Sequence, residues 1–233
     1  VSASTTLQQH RQISGGGFRA ALFGLSDGLV TNVSLILGFA GANPGHNIVR
    51  LAGLAGLVAG AFSMGTGEYL SVRAQKELFN YEIEVERTSL AEEPHKEREE
   101  LRDIFLKQGI EAELAERLSI DLMRDPEMAL RTHAREELGI DPSAIASPWV
   151  ASSSSFCFFA IGAFLPLIPW LVTSNGDPLW WSIGVAAFAS LTVGGAVGRY
   201  THRGITHSAL RQLFITSCAA AVTFGVGRLV GAH

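Results

Sequence analysis

Three carboxylates stand apart from the rest of this chain. Of its 22 acidic residues, 19 lie between positions 73 and 147, and the other three, Asp27, Glu68 and Asp177, sit in long apolar surroundings. An ionisable side chain inside the hydrocarbon core of a membrane costs at least about 2.5 kcal/mol, so such a residue points to a task. Asp27 lies well inside an apolar run that starts near Phe18, at a depth of about 12 Å if that run is a helix. A second apolar run, read in the opposite direction, brings Met64 to nearly the same depth, with Glu68 one helical turn nearer its end. A carboxylate, a thioether and a second carboxylate at neighbouring depths would make a stepwise path for a borderline-soft divalent cation. An interfacial Glu68 and a Met64 that only packs are the competing readings.

The acid-rich middle offers a second chemistry. Glu97 and Glu100 are three apart, as are Glu113 and Glu116, and His133 and Glu137 are four apart. Each spacing puts both residues on one face of a helix. Carboxylate and imidazole ligands presented from facing helices suit Fe2+, Mn2+ or Zn2+. A solvated acidic face is the bland alternative for any one of these glutamates. No H-E-x-x-H, C-x-x-C or EF-hand pattern sharpens the choice, and no Walker loop, nucleophile elbow or dinucleotide fingerprint suggests an enzyme. The acidity of this segment disfavours nucleic acid as a partner.

The elements that must hold these residues follow from how charge is partitioned. Residues 73–147 carry 11 of the 18 Lys/Arg and a formal charge of −8, while the flanks are almost bare of charge. Five stretches reach the roughly 20 apolar residues that a membrane-crossing helix needs: about 18–40, 48–71, 149–172, 179–199 and 209–231. Small-residue runs such as Gly53, Gly56 and Gly60, or Gly194 and Gly198, suit close helix packing. The expected class is all-α and integral to the membrane. Its parts are a tail at 1–17, two spans at 18–72, an acidic helical domain at 73–147 and three spans at 148–233. Inside the insert the pattern predicts an outward continuation of the second span over 72–92. Further helices follow near 95–108 and 111–124, and one runs from Asp125-Pro126 to Gly139, before a break at Asp141-Pro142. Their apolar seam would be built by Leu101, Ile104, Phe105, Leu114, Leu118 and Leu122.

Loop basicity predicts orientation. Loops 41–47 and 173–178 have no Lys or Arg, whereas Arg199, Arg203 and Arg211, Arg11 and Arg19, and Arg73, Lys76 and Arg135 flank the alternate ends. This puts the N-terminus and the acidic domain in the cytoplasm. Arg50 and Arg228 are exceptions, expected to snorkel from the span ends. No signal peptide is expected in the polar residues 1–17. Cys157 and Cys218 are expected to be small core residues without a disulfide.

Two long stretches carry a family likeness. FRAALFGLSDGLVTNVSLILGFAGA and GLAGLVAGAFSMGTGEYLSVRAQKE, followed by ELRDIFLKQGIEAELAERL, AREELGID and FAIGAFLPLIP, resemble the vacuolar iron transporter family from about residue 18 to 231. The resemblance implies a homodimer of five-span protomers in a lipid bilayer, exchanging Fe2+, and in some members Mn2+ or other divalent ions, for protons. No cofactor is implied beyond the transported metal. An ion path between protomers would be lined by the first two spans, with Asp27, Met64 and Glu68 on it. The family's insert holds metal on glutamates, and Glu97, Glu100 and Glu137 match; Glu82 and Glu86 are the best matches for an earlier pair. Plant-type members carry methionines one turn before the last glutamate, where this chain has His133 and Ala134. A prokaryotic cell membrane is favoured over a vacuolar one. A membrane-anchored metal sensor and a divalent-cation channel are the rival functions.

Overall fold

A peptide group with no water around it must bond within its own segment, so long apolar runs in a membrane become helices. The computed structural model describes residues 16–139, 146–173 and 176–232, and the regular elements among them are eight α-helices. They are α1 (Gly16–Gly41), α2 (His46–Glu92), α3 (Pro94–Lys107), α4 (Ala112–Leu122), α5 (Pro126–Glu136), α6 (Pro148–Val172), α7 (Pro178–Tyr200) and α8 (Ile205–Gly231). The expected tail up to residue 15 and the Asp141-Pro142 break lie outside the described residues. Helices α1, α2, α6, α7 and α8 are long and apolar enough to cross a membrane. With 47 residues, α2 is about 70 Å long, more than twice the roughly 30 Å hydrocarbon thickness, so its charged second half lies outside the lipid. The chain divides into two compact units, residues 1–70 with 147–233, and residues 71–146.

In the first unit α1 is the central helix, touching α6, α7 and α8. Missing side chains set the spacing. A β-carbon added at Gly28 would lie 2.2 Å from the Phe159 carbonyl oxygen, and one at Gly162 would lie 2.2 Å from that of Leu25. The Gly53, Gly56 and Gly60 run of α2 is filled by Ile36 and Leu167, Asn32 and Leu35, and Phe159, while Gly194 and Gly198 of α7 meet Ser208 of α8. Leu29, Val33 and Leu37 pack on Ala186, Ala189 and Ala220, and Ile36, Val49, Leu167 and Trp170 form a second cluster. The exterior is apolar: Leu51, Leu54, Val58 and Phe62 of α2, Trp180, Trp181 and Phe188 of α7 and Phe214 of α8 are all exposed. So large an apolar exterior would be a liability in water and matches acyl chains. This is a membrane protein.

One expectation changes here. Cys157 and Cys218 are exposed, because apolar neighbours in sequence signify lipid outside the helix as readily as protein beside it. Arg50 bonds backbone carbonyls at the end of a neighbouring helix. Its Nε donates to the Trp170 carbonyl and its Nη2 to that of Thr173 at 2.8 Å, placing a cation on the carbonyl end of α6. That half of α6 contains Pro166 and Pro169, which each remove an N–H from the helical ladder. Side chains of its neighbours bond carbonyls there: Ser182 Oγ donates to Pro166 at 2.6 Å and Asn32 Nδ2 to Ala163 at 2.6 Å. Ring contacts mark the two ends of the bundle. Phe18 meets Tyr200 and Tyr69 meets Trp149 at one, and His46 meets Trp170 at the other.

The second unit holds the outer part of α2 with α3, α4 and α5. Pro94 opens α3, and Gly109 follows it with φ +88°, a left-handed conformation that glycine adopts without strain. Asp125 caps α5 by accepting from the backbone N–H of Glu127 and Met128. Leu101, Phe105 and Ala115 form the core, flanked by Ile110, Leu118 and Leu122. Leu114, expected on the seam, is exposed; α4 is turned so that positions 115, 118 and 122 share the inner face.

Candidate metal centre

Four ligand-bearing side chains converge within the second unit. Glu86 comes from the outer part of α2, Glu97 from the first turn of α3, His133 from α5 and Glu137 from the residue that ends α5. One donor atom from each lies within 4.8 Å of the others. His133 Nδ1 stands 3.1 Å from Glu86 Oε1 and 3.7 Å from both Glu97 Oε2 and Glu137 Oε2. His133 is fully buried, Glu86 and Glu97 are 7% and 4% exposed, and Glu137 forms the open side. Buried polar atoms normally have partners, yet among the described residues Glu86 Oε1 and both ring nitrogens of His133 have none in hydrogen-bonding geometry.

The electrostatics follow from burial and like charge. Burial, then Glu137, Glu97 and Glu100, push the Glu86 carboxyl up to about 7. Burial and Glu100 raise Glu97 as well. Burial lowers His133 below the ordinary imidazole value, against the pull of Glu137. All three groups are thus driven towards their neutral forms, the response of a site that gathers negative charge without an internal base. A divalent cation among them would reverse it, giving oxygen and imidazole ligands the charge they lack.

The other expected residues fall differently. Glu100 lies one turn beyond Glu97 and pairs with Lys96 at 3.5 Å. Glu82 is half-buried on α2, one turn from Glu86 and outside the group. Glu113 is tied to Arg117, and Glu116 to Arg98 and Arg102, so that pair lies on a neutralised surface. In the first unit Asp27 sits on the outer surface of α1, between Phe23 and Thr31 at four-residue spacing. It has no salt bridge among the described residues. Met64 is half-buried against Ala61, Phe159 and Ala163. Glu68 is 3.3 Å from Arg19, a pairing that depth matching between the first and second spans could have found. Sequence reasoning also passed over Asn32. This amide is fully buried, with an unpartnered Oδ1 facing Gly56, and its polarity inside an apolar run was the available signal.

Residues 18–228 match the VIT family. The chain is 30% identical to vacuolar iron transporter 1 of Arabidopsis thaliana, over 97% of this chain and 92% of that one. It is 33% identical to a vacuolar iron transporter of Acanthamoeba castellanii, over 95% and 82%, and 32% identical to vacuolar iron transporter 1 of Oryza sativa, over 93% and 86%. With the match spanning every apolar helix and the acidic unit between them, the chain belongs to the VIT family.

Proposed function

We propose that this protein carries Fe2+ out of the cytoplasm in exchange for protons, accepting Mn2+ and other divalent transition ions on the same route. The observation that carries the reading is the Glu86, Glu97, His133 and Glu137 group, set in a chain whose relatives are named iron transporters. On this reading residues 73–147 form a cytoplasmic metal-binding domain that captures the ion, with Glu100 and Glu82 as outlying carboxylates. Glu68 and Met64 then pass it to Asp27. Asp27 lies on the outer surface of its own chain, which suits a path closed by a second protomer in a homodimer. A carboxylate left on acyl chains would pay the full insertion cost. The same group, alternately metal-bound and protonated, would couple the two flows.

Proton exchange makes electrical sense. Each charge moved through 100 mV costs about 2.3 kcal/mol, so expelling a divalent ion alone against an inside-negative potential costs about twice that. Returning two protons per metal cancels the electrical work. Proteoliposomes loaded with an iron-sensitive dye test the whole reading. Fe2+ flux should follow an imposed pH gradient and collapse in Asp27→Asn. Flux that ignores the gradient would mean a channel, and binding without flux a sensor.

A further inference from the structure

At the opposite end of the bundle from the Arg19–Glu68 pair, the structure assembles a second polar site. The short connection from α1 to α2 turns through Asn43 (φ +52°) and Gly45 (φ +95°), presenting His46 at the first position of α2. Asp177 caps α7, accepting the Leu179 N–H with Oδ1 at 2.9 Å. Asn43 and His46 line one cavity of about 220 Å³ together with Trp170 and Asp177, which lie more than 120 positions later in the sequence. Outside residues 71–146 the chain has three carboxylates. Asp27 and Glu68 belong to the path already described, and Asp177 is the third.

The ligand chemistry here is unspent. His46 and Asp177 make no salt bridge among the described residues, and the Asp177 cap uses one of its two carboxylate oxygens. Trp170 meets the His46 ring edge-on, with centroids 5.7 Å apart and planes at 88°, which fixes the imidazole plane. Among the described residues the buried indole Nε1 of Trp170 has no partner, and since Trp170 lines the cavity, a hydrogen-bond acceptor there, such as an ion-bound water, would complete it. Arg50, one turn along α2 from His46, is held by the Trp170 and Thr173 carbonyls. Its positive charge weakens cation binding, which suits a site that must let an ion go.

We infer that this cavity is a low-affinity site for a divalent transition cation, ligated by the His46 imidazole and the free Asp177 oxygen with help from the Asn43 amide oxygen. It is the port through which ions leave the bundle. The port rests on the transport reading, but the site itself does not. Two variants isolate it: His46→Phe keeps the edge-on ring contact, and Asp177→Asn keeps an N-cap of equal strength. In proteoliposomes, Mn2+ on the exit side should slow transport, and each variant should raise the half-inhibiting concentration at least about tenfold, as loss of a metal-site group typically does. The apparent KM on the entry side should hold. A half-inhibiting concentration that does not move, or an equal change on both sides, overturns the port.

A second measurement needs no flux. Pulsed EPR of Mn2+ bound to full-length His133→Ala protein should show a directly coordinated nitrogen that disappears when His46→Phe is added. Absence of that nitrogen, or its persistence in the double variant, overturns the site. Should no variant or wild type transport metal at all, the transport reading falls while the EPR result still decides the ligands.

Discussion

The two units treat carboxylates in opposite ways. In the acidic unit several acids lie at the surface paired with a base three or four residues away: Glu84 with Arg87, Glu93 and Glu100 with Lys96, Glu113 with Arg117, Asp121 with Arg124. Such exposed pairs are worth little and say little about function. Glu86 and Glu97 turn inward towards His133 and other acids, with the charge of Lys96 offsetting only part of the repulsion on Glu97. In the membrane unit acids are so rare that each has an identifiable position: Glu68 on Arg19, Asp177 on a helix start, Asp27 on an outer face without an ion pair. At the centre of each candidate site, Glu86 in one unit and Asp27 in the other, is a carboxylate with no Lys or Arg partner among the described residues, whether the surrounding composition is acidic or apolar.

Exchanging the lesions between units should break that comparison most sharply. Asp27→Asn is expected to abolish flux while leaving metal binding by the acidic unit unchanged, as measured by calorimetry on the full chain. Glu97→Gln, and His133→Ala with it, should weaken that binding by about 10–100-fold yet leave flux at saturating metal largely intact. If Asp27→Asn also erased binding, the two sites would be one.

The next effect is a dependence of stability on pH in metal-free protein. The folded Glu86 carboxyl, at about 7 against an ordinary 4.5, holds its proton more tightly than the unfolded chain does. Its contribution to stability is therefore fully present below 4.5 and is lost as pH rises through about 7. The loss amounts to about 3 kcal/mol. His133, lowered by burial, acts in the other direction, costing stability as pH falls below the imidazole range. Denaturant melts of wild type and Glu86→Gln between pH 4 and 8 isolate the Glu86 part: the wild-type curve should decline with pH relative to the variant. Added Mn2+ should erase the decline, since it binds the deprotonated form more tightly as pH rises.

Much of this was legible before any coordinates. Hydropathy located the five spans within a few residues of α1, α2, α6, α7 and α8, because lipid leaves a long apolar segment no alternative to a helix. Asp125-Pro126, Gly109 and Gly139 marked ends inside the insert, because capping is a local interaction between near neighbours. What escaped were matters of facing. Glu82 and Glu86 share a helical face, and only the packing of α3 and α5 against the outer part of α2 decides that Glu86 meets His133. Leu114 and Ala115 differ by one position, and burial selected the smaller side chain. Cys157 is exposed for a related reason: apolar sequence does not distinguish protein from lipid. The partners of Arg50, carbonyls at the C-terminal end of α6, are likewise invisible from position 50.

Within the acidic unit the identity of the nitrogen ligand allows a finer test. His133→Met puts a thioether in place of the imidazole. Oxygen-dominated sites with one imidazole favour Fe2+, Mn2+ and Zn2+, whereas sulfur favours softer ions. Competition binding should therefore move a few-fold away from Mn2+ and towards a softer ion such as Co2+, with Glu97 and Glu137 still supplying the charge. An unchanged rank order would mean that His133 packs beside the carboxylates without touching the metal.

The smallest effect is expected from Arg19→Gln. Arg19 is largely exposed while its partner Glu68 is mostly covered, so the pair lies where water screens it, and such pairs contribute about 0–1 kcal/mol. Folding should barely change. If Glu68 receives the ion on its way to Met64, removing the arginine frees a carboxylate that had been held by a competing cation. Apparent affinity for metal on the entry side should then rise by about twofold to threefold, well within that energy. Glu68→Gln should lower it, and the double variant should resemble Glu68→Gln alone. A fall in affinity with Arg19→Gln would mean instead that the arginine positions Glu68 for the ion, and that the pairing is part of the entry site.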